Sequence, residues 1–192
     1  MNIRCISLVI VLILVADCGF LLFSCQKPDP VSSTIALSSE EQKLYDLIMR
    51  YREEKQLPVI PLSESLTFVA QTHVKDLADN FDMGKTCNMH SWSDKGNWTA
   101  CCYTSDHAKA ECMWNKPREM TSYKGYGYEI SHGGSKNYLA TAESAFNGWK
   151  NSSGHNAVMI NEGVWKDKWN AIGIGIYKGY ACVWFGKESD EQ

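Results

Sequence analysis

The sequence predicts an α+β domain, on three observations. Apolar residues recur at helical spacing behind capping residues in the first half, and they alternate with period two in AIGIGIY and YACVWF near the end. Strands and helices nowhere alternate regularly, as a parallel sheet would require.

Taken in order, Ser38 with Glu41 forms a capping-box pattern, and Leu44, Leu47, Ile48 and Tyr51 follow on one helical stripe until Pro58 and Pro61 end it. Ser63 caps a second helix whose Leu66, Val69, Ala70, His73 and Leu77 share a face before Asn80, so His73 reads as a packed core histidine. Residues 87–117 are irregular and rich in cysteine and tryptophan, a length that needs bridges or a function to hold it. YKGYGYEI reads as a glycine-bearing strand, and a third helix is expected from about Tyr138 to Trp149, with Ala142, Ala145, Phe146 and Trp149 on one face. Asn151-Ser152-Ser153-Gly154 breaks that helix. Ile172, Ile174 and Ile176 then alternate with small residues, and Lys178-Gly179 turns the chain back into YACVWF as a hairpin. The charged tail 188–192 is expected to fray.

The 192 residues, 44% hydrophobic with a net charge of -3, suit one globular core, and the pI near 5.9 without any Lys/Arg run removes the electrostatic footprint of a nucleic-acid binder. The amino terminus carries Arg4, the apolar run ISLVIVLILVA, Asp17 and a second apolar stretch ending in LLFSC. This reads as a signal peptide over 1–24, because Asp17 inside the run disfavours a permanent transmembrane helix. Leu22-Phe23-Ser24-Cys25 resembles a bacterial lipobox, which makes Cys25 the expected site of acylation and the membrane the expected partner through that anchor. A plainly cleaved leader with an incidental cysteine is the alternative, and would leave the protein secreted. The segment 25–38 is polar and proline-bearing, as a tether should be. A domain over 39–187 remains.

Of eight cysteines, Cys5 and Cys18 lie in the leader and Cys25 at its end, leaving Cys87, Cys101, Cys102, Cys112 and Cys182. Export makes disulfides the default, with one cysteine left over. The sequence does not choose the pairing, but neighbouring Cys101 and Cys102 are expected to bond to different partners. Zinc ligation by Cys87, His90, Cys102, His107 and Cys112 is the rival reading. Trp92, Trp98 and Trp114 read as covers for apolar surface, with a carbohydrate or peptide surface as the alternative.

Three polar residues stand beside structural breaks: His90 in NMHSW, Glu129 in GYGYEI and His155 in WKNSSGHNAVMI. Two imidazoles and a carboxylate make an acceptable divalent-metal site, zinc above all, where a fold brings them together. Sequence spacing does not show that they converge. Ser152 or Ser153 capping a new helix accounts for SSGH without any ligand.

The order of ExxLYDLIMRYR, AQTHVKDLA, MHSW, GYGYEI, WxxSxGHN and GIGIYKGYACVWFG resembles the CAP superfamily, also called the SCP domain. That group includes cysteine-rich secretory proteins, venom antigens, plant pathogenesis-related proteins and bacterial SCP-domain proteins. The resemblance runs over roughly residues 40–186. It implies an α-β-α sandwich with a small, mostly antiparallel sheet, and a cleft lined by His90, Glu129 and His155. It also implies zinc in some members, and sterols or fatty acids in grooves of others. Ser152 stands where fuller members carry a second glutamate, and Tyr128-Glu129-Ile130 stands where the familiar strand reads glycine-glutamate-asparagine. One carboxylate is therefore missing for paired acid-base work, and neither HExxH nor GxSxG occurs. The function expected is binding of a divalent metal or small ligand at a bacterial envelope, in the periplasm or on the surface. A metal-dependent hydrolase or peptidase, a lipid or sterol carrier, and a structural envelope protein are the rivals.

Overall fold

A computed structural model describes residues 36–82, 86–134 and 137–190. The chain divides into Met1–Ser33 and Thr34–Gln192, and only the second unit contains described residues. The leader 1–24, the acylation site Cys25 and all but the last three residues of the tether 25–38 lie outside them. Among the described residues no helix is long and apolar enough to cross a membrane.

Helix α1 (Ser39–Glu54) starts where the capping box places it: the Ser38 hydroxyl accepts from Glu41 N–H, and the Glu41 carboxylate accepts from Ser38 N–H. Helix α2 (Glu64–Asn80) starts at Ser63, whose hydroxyl accepts from Leu66 N–H and itself donates to Asp190. Asp190 Oδ2 also accepts from Ser65 N–H at 2.9 Å, and Tyr123 donates to the Glu188 carbonyl at 2.6 Å. Expected fraying therefore does not reach Glu188 or Asp190, which carry a cap and a tether for the second helix and the loop.

Short helices α3 (Ala110–Trp114) and α4 (Lys116–Met120) close the irregular region. Strand β1 (Gly127–Gly133) follows, then α5 (Ala142–Lys150), α6 (Ser153–Met159), a 3-10 turn at Gly163–Trp165, and strands β2 (Ala171–Tyr177) and β3 (Tyr180–Gly186). Helix α5 begins four residues later than the apolar pattern suggests. Thr141 and Ser144 form a reciprocal cap there, a polar start signal that outweighs the aromatic residue upstream.

The strands form one antiparallel sheet in the order β1-β3-β2. Its two faces are read directly from period two. Ile130, Ile172, Ile174, Ala181, Val183 and Phe185 pack with Leu44, Ile48, Phe146 and Trp149 of α1 and α5. Ala171, Cys182 and Trp184 pack on the other face with Leu66, Val69, Ala70 and Val74 of α2 and with Trp92 and Tyr103 of the loop. This is the expected α-β-α sandwich. Gly173 and Gly175 lie against α2, where a Cβ would overlap the backbone of Leu66 and Ala70. The alternation of isoleucine and glycine is thus a packing code: branched side chains toward α1, bare backbone toward α2.

Buried charges then pin the layers. Glu41 accepts from Gln71 of α2 at 3.1 Å and from Ile176 N–H of β2 at 3.0 Å, so one carboxylate joins three elements. Arg52, 1% exposed, donates to the carbonyls of Pro58 and Met159 and to Asn161 Oδ1, fastening the end of α6 to α1. Burial pulls its guanidinium down to about 10, still charged at neutral pH.

The cysteines pair as Cys87–Cys102 and Cys101–Cys112, with Cα atoms 5.0 and 5.7 Å apart, leaving Cys182 free and buried. The adjacent cysteines do take different partners. Both pairings use the sulfurs that the zinc-ligand alternative required, so that reading is corrected in favour of bridges.

Candidate functional site

Register decides where the strand glutamate points. Glu129 stands opposite Trp184 and Ser131 opposite Cys182, so both face α2 rather than α1. Helical spacing brings His73 to the same layer from above. Its Nδ1 lies 2.5 Å from Glu129 Oε1, with both side chains fully buried. The other carboxylate oxygen, Oε2, faces His90 Nδ1 at 2.7 Å, and His90 keeps 21% of its side chain exposed.

Both nitrogens of His73 face acceptors, Glu129 on one side and the Ser91 carbonyl at 3.0 Å on the other. A ring in that setting donates from both positions and is an imidazolium. Burial works against the charge, but the Glu129 carboxylate outweighs it and raises the His73 pKa. For Glu129, burial alone would favour protonation; the two imidazoles reverse this and hold the carboxyl well below its usual range, at about 2. Trp92 stacks on His73 with centroids 4.3 Å apart and planes 6° from parallel, covering the cation with a π face.

His90 uses Nδ1–H on Glu129, which leaves Nε2 as the ring's free lone pair in the neutral form. His155 sits half-buried in the first turn of α6. Burial lowers its pKa, and the His90 and His132 imidazoles lower it further. Helix α6 is held at its far end by Arg52 and by Trp169, which donates to the Val158 carbonyl at 2.8 Å. The structure thus brings Glu129 and His90 into contact, and His155 feels His90 electrostatically without a bond to either. Ser152 occupies the N-cap of α6 without a side-chain capping bond.

One cluster of potential metal donors is found among the described residues. His73, Glu129 and Cys182 offer ligand atoms within 4.8 Å of one another. Its chemistry is that of an ion pair: His73 has no free lone pair, and burial with the nearby Glu129 charge pushes the Cys182 thiol well above its ordinary value. A metal there would have to displace protons from both. The involvement of His73 and Cys182 was the part missed from the sequence. A histidine on the core-facing stripe of a helix was the available signal, because a buried imidazole needs polar partners.

A groove of about 640 Å3 runs beside the site and is lined by Asp76, Phe81, Asp82, Trp92 and Asp94 among others.

No curated protein matches the chain. Solved structures do. An extracellular SCP-domain protein of Bacillus anthracis matches at 20% identity and TM-score 0.52, over 78% of this chain and 40% of its own. A cysteine-rich secretory protein of Staphylococcus aureus matches at 16% and 0.50, over 83% and 40%. An outer surface protein of Borrelia burgdorferi matches at 18% and 0.52, over 80% and 97%. This chain therefore spans 40% of the length of the first two. At these identities the likeness is one of fold. The family model of the cysteine-rich secretory protein family, CAP, matches residues 45–184, which is most of the sequence. From the first helix to the last strand, the chain belongs to the cysteine-rich secretory protein (CAP) family.

Proposed function

We propose that the protein is an exported, lipid-anchored binding protein of a bacterial envelope, in which His90 and His155 hold a divalent cation and Glu129 orients His90. The observation that carries this is the bridging carboxylate. Glu129 spends one oxygen on His73 and the other on His90, so it fixes a ring and its tautomer in the manner of an outer-shell carboxylate. Two imidazole nitrogens favour zinc over the oxygen-loving cations. Export is supported by the LLFSC signal and by the names of the similar structures, one an extracellular protein and one an outer surface protein.

Binding is favoured over hydrolysis because the site's carboxylate is not free to take a proton from water. Glu129 is fully buried and committed on both oxygens, and Ser152 stands where a second glutamate would be needed. Calorimetric titration of zinc into the mature chain tests the reading. Wild type is expected to bind with an affinity that weakens on acidification, as protons compete for the imidazole lone pairs, and His90→Ala/His155→Ala is expected to lose that binding. Equal affinity in the two proteins contradicts the site. Efficient peptide cleavage abolished by Glu129→Gln contradicts the preference for binding.

A further inference from the structure

His90 is delivered by a short ladder rather than by a helix or a sheet strand. Asn88 N–H donates to the Tyr103 carbonyl at 2.8 Å, Trp92 and Cys101 exchange backbone bonds at 2.8 and 3.0 Å, and Tyr103 N–H donates to Ser91 Oγ at 2.8 Å. The Tyr103 ring packs against His90 with centroids 5.1 Å apart. Two cystines staple this ladder, and they differ in access. Cys101 is buried and its partner Cys112 half-buried, whereas Cys102 is exposed and its partner Cys87 half-buried. The more accessible bridge also flanks the segment that carries the imidazole: Cys87 lies just before the Asn88–His90 turn, and Cys102 directly precedes Tyr103.

We infer that Cys87–Cys102 is a thiol-addressable bolt that holds His90 in its bond with Glu129, so that opening it lowers the affinity of the site for its cation. The positioning half stands on the ladder and bridge alone, and the affinity half rests on the cation-site reading. The agent required is an external low-molecular-weight thiol. Its thiolate attacks Sγ of Cys102, the exposed residue of the bridge, the S–S bond breaks, and Cys87 leaves as a thiolate that takes up a proton. A second external thiolate attacks the mixed disulfide, releasing Cys102 and forming the external disulfide. One cystine is reduced to two thiols and two external thiols are oxidised. Cys101–Cys112 is the less exposed bridge, with no exposed half, so it opens later and the loop stays tied to α3 while the end that carries His90 is released.

The test uses the mature chain in three forms: wild type, Cys87→Ser/Cys102→Ser and Cys101→Ser/Cys112→Ser. Graded treatment of wild type with reduced glutathione, followed by alkylation and peptide mass analysis, is expected to label Cys87 and Cys102 before Cys101 and Cys112. The 15N imidazole signals of His90 are expected to report an Nδ1–H tautomer in wild type and to move toward the Nε2–H form in Cys87→Ser/Cys102→Ser, with the His73 signals unchanged as a control on folding. Zinc affinity, titrated without thiol, is expected to fall about ten-fold or more in that variant, the loss usual when an outer-shell support of a ligand is removed. The inference is overturned if Cys101–Cys112 opens first, or if the His90 signals are the same with and without the outer bridge. Absence of zinc binding in every form, with the His90 tautomer still shifting, removes the cation reading and leaves the positioning role of the bridge standing.

Discussion

A carboxylate shut away from water must find its counter-charges in the fold, and Glu129 finds them in His73 and His90. Replacing it by Gln leaves the His73 imidazolium buried without its partner, a change expected to cost about 3–5 kcal/mol, measured by urea unfolding at neutral pH. The pair also fixes a pH signature. His73 is raised above an ordinary value of 6.5, so its contribution is complete below that value and is lost as pH climbs through the raised one. Glu129 is lowered from 4.5 to about 2, so its contribution is complete above 4.5 and is lost as pH falls toward 2. The stability gap between wild type and His73→Gln is therefore expected to be widest between these ordinary values and to narrow on both sides. A gap independent of pH would show that the pair is not ionised. At this scale the sequence named His90 and Glu129, which the structure joins, and placed His73 in the core, where it lies. It did not supply the His73–Glu129 bond, which joins residues 56 apart through the docking of a helix on a sheet.

Elements were more legible than contacts, because caps and periods are local. Ser38, Ser63 and the Lys178-Gly179 turn each mark a boundary found in the structure. The start of α5 was read too early because Tyr138 continues the apolar pattern, while the Thr141 and Ser144 cap that begins the helix carries no apolar signal. The cystine pairing was illegible for the opposite reason: five cysteines within reach of one loop and strand leave their partners to the tertiary fold. The glycines of β2 carry a prediction of their own. Gly173→Ala puts a methyl into the Leu66 backbone, and overpacking of this kind is expected to destabilise by about 1–3 kcal/mol, read from the urea midpoint. A substitution on the opposite face of the same strand, Ile174→Val, removes a methylene from the α1 side and is expected to cost about 0.5–1.5 kcal/mol. Equal, negligible effects would mean that α2 does not rest on bare backbone.

The proposed envelope anchor belongs to a segment outside the described residues, so it is tested by fractionation. Cys25→Ala is expected to move the protein from the membrane to the soluble fraction with the thermal unfolding of the domain unchanged, and an unchanged membrane fraction would point to an uncleaved helix. Within the domain, Glu129 joins the observed ligand set of His73 and Cys182 on the buried side and bonds His90, which with His155 makes the proposed cation site, on the open side. The central claim is that the open side binds and the buried side holds the fold. Anomalous diffraction at the zinc edge from crystals soaked in zinc distinguishes them directly. A single peak within bonding distance of His90 Nε2 and a His155 nitrogen, with the His73–Glu129 bond intact, is the result the account predicts. A peak bonded to His73, Glu129 and Cys182 would contradict it.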